Sequence, residues 1–536
     1  MSIPAGSTHL PRILDMVHHN PGEPLYRTKY ESPDVLRGMG IEGKVYHLFD
    51  SPTLAVDWES VDADIFPRGS AARAWVDAKA ARIDAQHAAC AADGIKIYAM
   101  GDLMLLPKKL VEKHQLETCM GNPTDPRTGR FLRLLMAQVF ERFPRLDGLV
   151  VRIGETYLHD APWHVGRIEG KSDARATIIP LMRILRDELC VKRGRHLIFR
   201  TWLSFDIDLE TYLSVSDAVE PHPLLTIAVK HCEGDFHRGN PFSKVLGAGR
   251  HPQLVEVQCA REYEGKGAFP NYIARGVIEG FEEHLSAQPE RALRSIGELA
   301  RARPDLFAGI WTWSRGGGWN GPYIKNEFWC DLNVAIMTQW ARDPRQYEES
   351  IFARHATETL GLDADDAARF RRLCLLSADA VVRGRISPRG DVDPWWSRDE
   401  YFGKPGLGTF DEAAVARTLA EKDESVAMWQ EIAALARQIK LPGEDDRRHL
   451  VASSEYGLRL HRIIRALFQL SAADTRNAPP GELRRFLSDY DRAWDSYKAL
   501  PREHPSCATL YQKRGSPWGP PPGIETWIPE LRCKAS

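Results

Sequence analysis

The chain has 536 residues, 43% hydrophobic and 27% charged, the balance of a globular protein with room for one large domain and at least one more. Its 71 Lys and Arg against 73 Asp and Glu leave a net charge of −2, which offers no field to draw in nucleic acid or an anionic membrane surface. No run approaches the roughly 18 apolar residues of a membrane span, no basic start followed by an apolar run opens the chain, and nine cysteines without a CxxC pair predict reduced thiols in a cytoplasm, not a disulfide framework.

Along the chain, short β-like runs alternate with helical ones. "LYRTKY" (25–30) reads as the first strand, followed by the short helix "DVLRGMG" and the strand "KVYHLFD" (44–50). The Ala-rich "AARAWVDAKAARIDAQHAACAADG" is a helix stopped by glycine, ahead of the strand "IKIYAMGD" (95–102). "GRFLRLLMAQVFERFP" has apolar residues at helical spacing and precedes the strand "GLVVRIGE" (148–155). After the helix "DARATIIPLMRILRDELC" come "HLIFRTW" (196–202), "LTIAVKHCE" (225–233), "LVEVQCAREYE" (254–264) and "AGIWTWS" (308–314). Eight strands with helices between them predict a (β/α)8 barrel, and the absence of GxGxxG or GxxxxGK[ST] after the first strand speaks against an open nucleotide-binding sheet. From about residue 340 up to the tail, four segments are helical by period. The expected organisation is therefore an N-terminal arm (1–21), a catalytic α/β barrel (22–340), a helical domain (341–505) and a Pro-rich tail (506–536) containing "GSPWGPPPG", read as an extended strap.

In such barrels the reactive groups stand at the C-terminal ends of the strands. Strand four ends at Glu155. Strand five carries Arg200 and Trp202, and strand six Lys230 and then Asp235. Strand seven ends at Glu262 and Tyr263, and strand eight gives Trp311 and Trp313, with Trp319 in the loop that follows. Three carboxylates, two or more cations and several flat apolar rings on one rim suit glycoside hydrolysis. That reaction needs one protonated carboxyl to release the leaving oxygen and one ionised carboxylate to activate water or attack carbon. Each residue also has a structural alternative. Arg200 and Lys230 can be ion-pair partners inside the barrel, and Trp311 and Trp313 can fill core. His18 and His19 read as loop residues. No HExxH or clustered Cys/His pattern appears, so neither a metal nor any other cofactor is expected.

The stretch from Lys230 to Tyr263, with its Lys-x4-Asp-Phe and E-x-Q-x-x-x-E-Y spacing, and the run "DGLVVRIGE" resemble the α-glucuronidases of glycoside hydrolase family 67. Those enzymes remove glucuronic acid or its 4-O-methyl ether from xylo-oligosaccharides. The resemblance runs from about residue 95 to 340, and the family's N-terminal domain is missing. It implies that Glu155 is the general acid and that Asp235 and Glu262 deprotonate the attacking water, with inversion. It also implies that Arg152, Arg200 and Lys230 bind the uronate carboxylate, that Trp319 contacts sugar, and that the helical domain forms a homodimer. The alternatives are a retaining barrel glycosidase with Glu155 as acid/base and Glu262 as nucleophile, in whose usual pattern an Asn stands where this chain has Gly154, and a non-hydrolytic sugar-binding barrel or a lyase with Lys230 as base.

Overall fold

The computed structural model describes residues 12–18, 28–102, 105–153, 161–166, 173–202, 204–234, 236, 238–282, 293–316, 321–387, 402–512 and 523–536. Eight strands close a barrel: β1 (Ile13–His18), β2 (Gly43–Tyr46), β3 (Lys96–Asp102), β4 (Gly148–Arg152), β5 (His196–Arg200), β6 (Leu225–Lys230), β7 (Gln253–Gln258) and β8 (Phe307–Gly316). Each is paired in parallel with its sequence neighbours, and β8 returns to β1 with Leu14 opposite Trp311 and Met16 opposite Trp313. The fold is the expected (β/α)8 barrel followed by helices.

Strand alternation sorts the side chains into two cores. Leu14, Met16, Val45, Tyr98, Met100, Val150, Ile198, Ala228, Leu254, Trp311 and Trp313 fill the barrel interior. Their neighbours Ile13, Ile97, Leu149, Val151, Leu197, Phe199, Ile227, Val229, Val255 and Val257 face the surrounding helices. Buried on both faces, such strands read as unbroken apolar runs. The outward positions also include charged residues, Asp15 of β1 and, opposite it, Lys44 of β2. Asp15 is fully buried, and its carboxylate accepts from Thr312 Oγ1 (2.8 Å), Ser314 Oγ (2.9 Å) and Ser314 N (3.1 Å). Burial outweighs these bonds and pushes its carboxyl up to about 6.

Two segments differ from the sequence reading. The first strand is Ile13–His18, which lies within the expected N-terminal arm, whereas Lys29–Glu31 forms a 3-10 turn. "ILDMVH" carries Asp15 near its centre, which breaks its apolar run. The tail, read as an extended strap, ends in a helix (Ile524–Ala535) packed on the helix Pro480–Lys498. Trp527 Nε1 (3.1 Å) and Lys534 Nζ (2.6 Å) donate to Asp474 together with Lys404 Nζ (2.7 Å). Burial works to raise the Asp474 carboxyl, but these donors hold it down at about 2. "GSPWGPPPG" itself lies outside the described residues.

The other long helices of the C-terminal region are Ala364–Arg385, Glu412–Gln438 and Glu444–Thr475. Two begin at aspartate N-caps, with Asp363 accepting from Asp366 N (2.8 Å) and Asp411 from Ala414 N (2.7 Å), a contribution of about 1 kcal/mol each. The buried Lys422 donates to Arg383 O (2.6 Å) and Ile386 O (2.5 Å), where the first of these helices runs out of partners for its carbonyls. Burial still pushes its ammonium pKa down to about 7.

Candidate active site

The alternation that buries Val150, Ile198, Ala228 and Leu254 inside the barrel puts Arg152, Arg200, Lys230 and Glu256 on the same inward face, two residues nearer the C-terminal end. The apolar core is therefore capped by a charged layer. Arg200 and Glu256 are 3% and 0% exposed, and they meet through two hydrogen bonds: Nε donates to Oε1 (2.7 Å) and Nη2 to Oε2 (2.8 Å). A bidentate guanidinium–carboxylate pair is the geometry in which attraction best offsets desolvation. The Arg200 guanidinium also lies 5.0 Å from the ring centroid of Trp313 and 5.7 Å from that of Trp311. Lys230 Nζ stands 3.2 Å from the centroid of Trp202, 4.5 Å from Phe236 and 6.0 Å from Trp313, so ring faces stabilise this cation as well. Phe236 packs edge-on against Trp313 at 5.1 Å. His18 closes the rim, stacked on His47 and edge-on to Trp313.

After β7 the chain turns sharply. Arg261 (φ 49°) and Lys266 (φ 50°) are left-handed, as are Gly265 (φ 98°) and Gly267 (φ 87°). Only at Gly265 does the neighbour also forbid a side chain: a Cβ there would lie 2.4 Å from the Phe269 ring. Left-handed non-glycine residues cost about 1 kcal/mol or more each and persist where their surroundings over-determine them. Here the buried Glu264 does so. It accepts from Arg261 Nε and Nη2 (both 3.0 Å), Asn271 Nδ2 (3.0 Å) and Arg238 N (2.8 Å). Arg238 also donates to Asp379 (3.1 Å) and Ala378 O, which fastens the β6 loop to the helix Ala364–Arg385. Glu262 sits in this turn, 7% exposed, and is held by Gln258: Nε2 donates to Oε2 (3.0 Å), while the Glu262 N–H donates to Gln258 Oε1 (2.6 Å). Tyr263 is buried beside it.

Arg152, Arg200, Lys230, Trp202, Glu262 and Tyr263 thus all lie at the C-terminal ends of β4 to β7 or in the turns that follow. Glu155, Asp235 and Trp319 lie outside the described residues. For Arg200, the structural alternative is realised along one edge of its guanidinium, which Glu256 occupies. Glu262, read as the end of a strand, stands in a turn four residues past Gln258. His18, read as a loop residue, is the last residue of β1. Glu256, Gln258 and Phe236 belong to the motif spacing, but the sequence reading gives them no role. The signal for the first two was present, because polar residues two and four positions after Leu254 in a strand must share its inward face. Asp206 was also missed. It accepts from Thr201 Oγ1 (3.0 Å), and burial raises its carboxyl, partly countered by Thr201 and by the charge of Lys230. Among the described residues, no group of His, Cys, Asp and Glu could hold a metal ion, and no helix is long and apolar enough to cross a membrane. All nine cysteines are free thiols, and eight of them are buried.

No family model matches the chain, and no curated protein matches it. Among solved structures it is similar to a GH138 enzyme targeting pectin rhamnogalacturonan II, with a TM-score of 0.52 and 13% identity over 94% of this chain. The chain spans 63% of that neighbour's length. At this identity the likeness is one of fold. The finer resemblance to the family 67 α-glucuronidases rests on the motif residues alone.

Proposed function

We propose that this protein is a glycoside hydrolase that releases a terminal uronic acid from oligosaccharides, in the manner of an inverting α-glucuronidase. One observation carries the reading. Three successive strands, β4, β5 and β6, end in inward cations, Arg152, Arg200 and Lys230, set among the rings of Trp202, Phe236 and Trp313. A neutral sugar has no use for such a layer, whereas a uronate has a carboxylate for the cations and a flat face for the rings. Arg200 gives one edge to Glu256, which offsets its charge, so Arg152 and Lys230 make the direct contacts. Glu155 protonates the glycosidic oxygen. Asp235 and Glu262 deprotonate the water that attacks from the opposite face, a geometry that needs carboxyl groups about 6.5–9.5 Å apart. Similarity of fold to an enzyme that targets a pectic polysaccharide supports a carbohydrate substrate. The free thiols fit a cytoplasmic protein acting on imported oligosaccharides. Homodimerisation through the helical domain is proposed on the resemblance alone.

The test offers aldouronic acids, aryl α-glucuronides and pectic oligosaccharides ending in a uronic acid, and follows the first-formed anomer by NMR. Release of the inverted anomer, abolished on the natural oligosaccharides in Glu155→Gln, is expected. A retained anomer would assign Glu262 as nucleophile, and an unsaturated product would point to elimination with Lys230 as base. Undiminished turnover in Glu155→Gln would refute the acid assignment.

A further inference from the structure

The Glu262 carboxylate and its own backbone N–H are gripped by one side chain. Gln258 is fully buried on β7, two positions beyond Glu256 on the same inward face. Its amide Nε2 donates to Glu262 Oε2 at 3.0 Å, and its Oε1 accepts the Glu262 N–H at 2.6 Å. The turn that makes this closure possible depends on the left-handed Arg261, which brings the chain back over the end of the strand. We infer that Gln258 is a positioning residue for the reaction: it fixes where the Glu262 carboxylate stands and favours its ionised form. The inference rests on the reading of Glu262 as the group that activates water.

The chemistry requires a carboxamide. The site needs a donor facing a carboxylate and an acceptor facing an N–H, on one planar group. Glutamate has the shape and the acceptor but sets a second negative charge against Glu262. Leucine has the approximate volume and neither function. A hydrogen bond donated to a carboxylate stabilises its charged state, and a group that takes a proton from water must be ionised to begin with. Fixing the main chain and the carboxylate together also leaves the side chain between them little rotational freedom, which pre-pays the ordering that the reaction needs.

The experiment compares the full-length parent with Gln258→Leu, Gln258→Glu and Glu262→Ala, using an aryl α-glucuronide whose good leaving group makes little demand on the general acid. We expect Gln258→Leu to lose about 10²-fold in kcat with KM little changed, the scale of a misplacement near 1 Å. In Gln258→Glu the acidic limb of the pH–rate profile should move upward, because a second carboxylate makes Glu262 harder to ionise. Far-UV and near-UV dichroism verify folding, and if the leucine variant does not fold, the near-isosteric glutamate variant gives the reading. Wild-type kcat and an unmoved acidic limb in a folded Gln258 variant, with Glu262→Ala inactive, would overturn this inference and leave the role of Glu262 standing. Activity retained in Glu262→Ala would overturn that role first. A raised KM with kcat and acidic limb unchanged would mark Gln258 as a binding or packing residue and also defeat the inference.

Discussion

At the top of the barrel and in the core of the helical domain, buried charges meet different company. Lys422 ends a helix: its ammonium takes two carbonyls left over at the end of Ala364–Arg385, which the regular backbone supplies at any helix terminus. The paired charges of the barrel rim meet as side chains across strands, where both geometry and register must be right. Arg200 and Glu256 are 56 residues apart in sequence, and they meet only because the β5, β6 and β7 registers are right. The backbone differs in the same sense. Phe236, Arg261 and Lys266 have positive φ within a short stretch of the rim, whereas Asn477 is the one such non-glycine residue among the described residues of 364–512. A helix end offers its spare carbonyls to any cation that packs against it and tolerates small shifts. A rim that depends on long-range pairing and strained turns holds its groups in one geometry, which suits chemistry and makes it fragile.

Changes at four places in the molecule press on this contrast. Glu256→Ala leaves Arg200 buried without its carboxylate and is expected to cost about 3–5 kcal/mol in urea unfolding, while the double change Glu256→Leu, Arg200→Met should recover most of that. A loss below about 1 kcal/mol would mean that the rim relaxes as freely as the helical domain. Asp15→Asn tests the barrel wall through pH. A carboxyl raised from 3.8 to about 6 on folding binds more protons folded than unfolded between those values. Its stability is therefore fully present below 3.8 and is lost as pH rises through 6, by about 3 kcal/mol in all. The stability difference between Asp15→Asn and the parent should accordingly swing in favour of the asparagine variant across that window, and a difference that stays constant would refute the argument. Gly265→Ala must adopt φ near 98° against the Phe269 ring and should lower stability by roughly 2 kcal/mol, read as a lower melting temperature. Least affected should be Glu431→Ala, which removes the exposed partner of Arg372 in the helical domain. Under 1 kcal/mol is expected there by the same urea measurement.

Much of the fold was legible because each barrel strand after the first is a short apolar run between helices of clear period. Ile13–His18 escaped because a strand buried on both faces is recognised by unbroken hydrophobicity, and Asp15 interrupts it. The tail helix was hidden behind prolines, although Trp527, Ile528 and Leu531 lie on one helical face and are buried. At the site, residue types and strand ends pointed to Arg200, Lys230 and Glu262. Which cation is already held by a protein carboxylate was not readable, because that follows from strand register. The role of Gln258, a motif position, was unreadable for a related reason: its contact with Glu262 closes across a left-handed Arg261, a conformation that the residue type does not announce.

The pairing of β1 with β8 has a consequence for how the protein is made. Asp15 and Thr312 are 297 residues apart, so at ribosomal speeds the first strand waits roughly 15–60 s for its partner. During that time "ILDMVH" is an exposed strand edge with every apolar residue needed to join another chain. The ionised aspartate in its middle, which weakens the finished barrel at neutral pH, keeps the waiting segment in solution, as charged gatekeepers do in sticky strands. Asp15→Asn should therefore yield a more stable protein that refolds from urea with more aggregate, a trade measurable by light scattering during dilution.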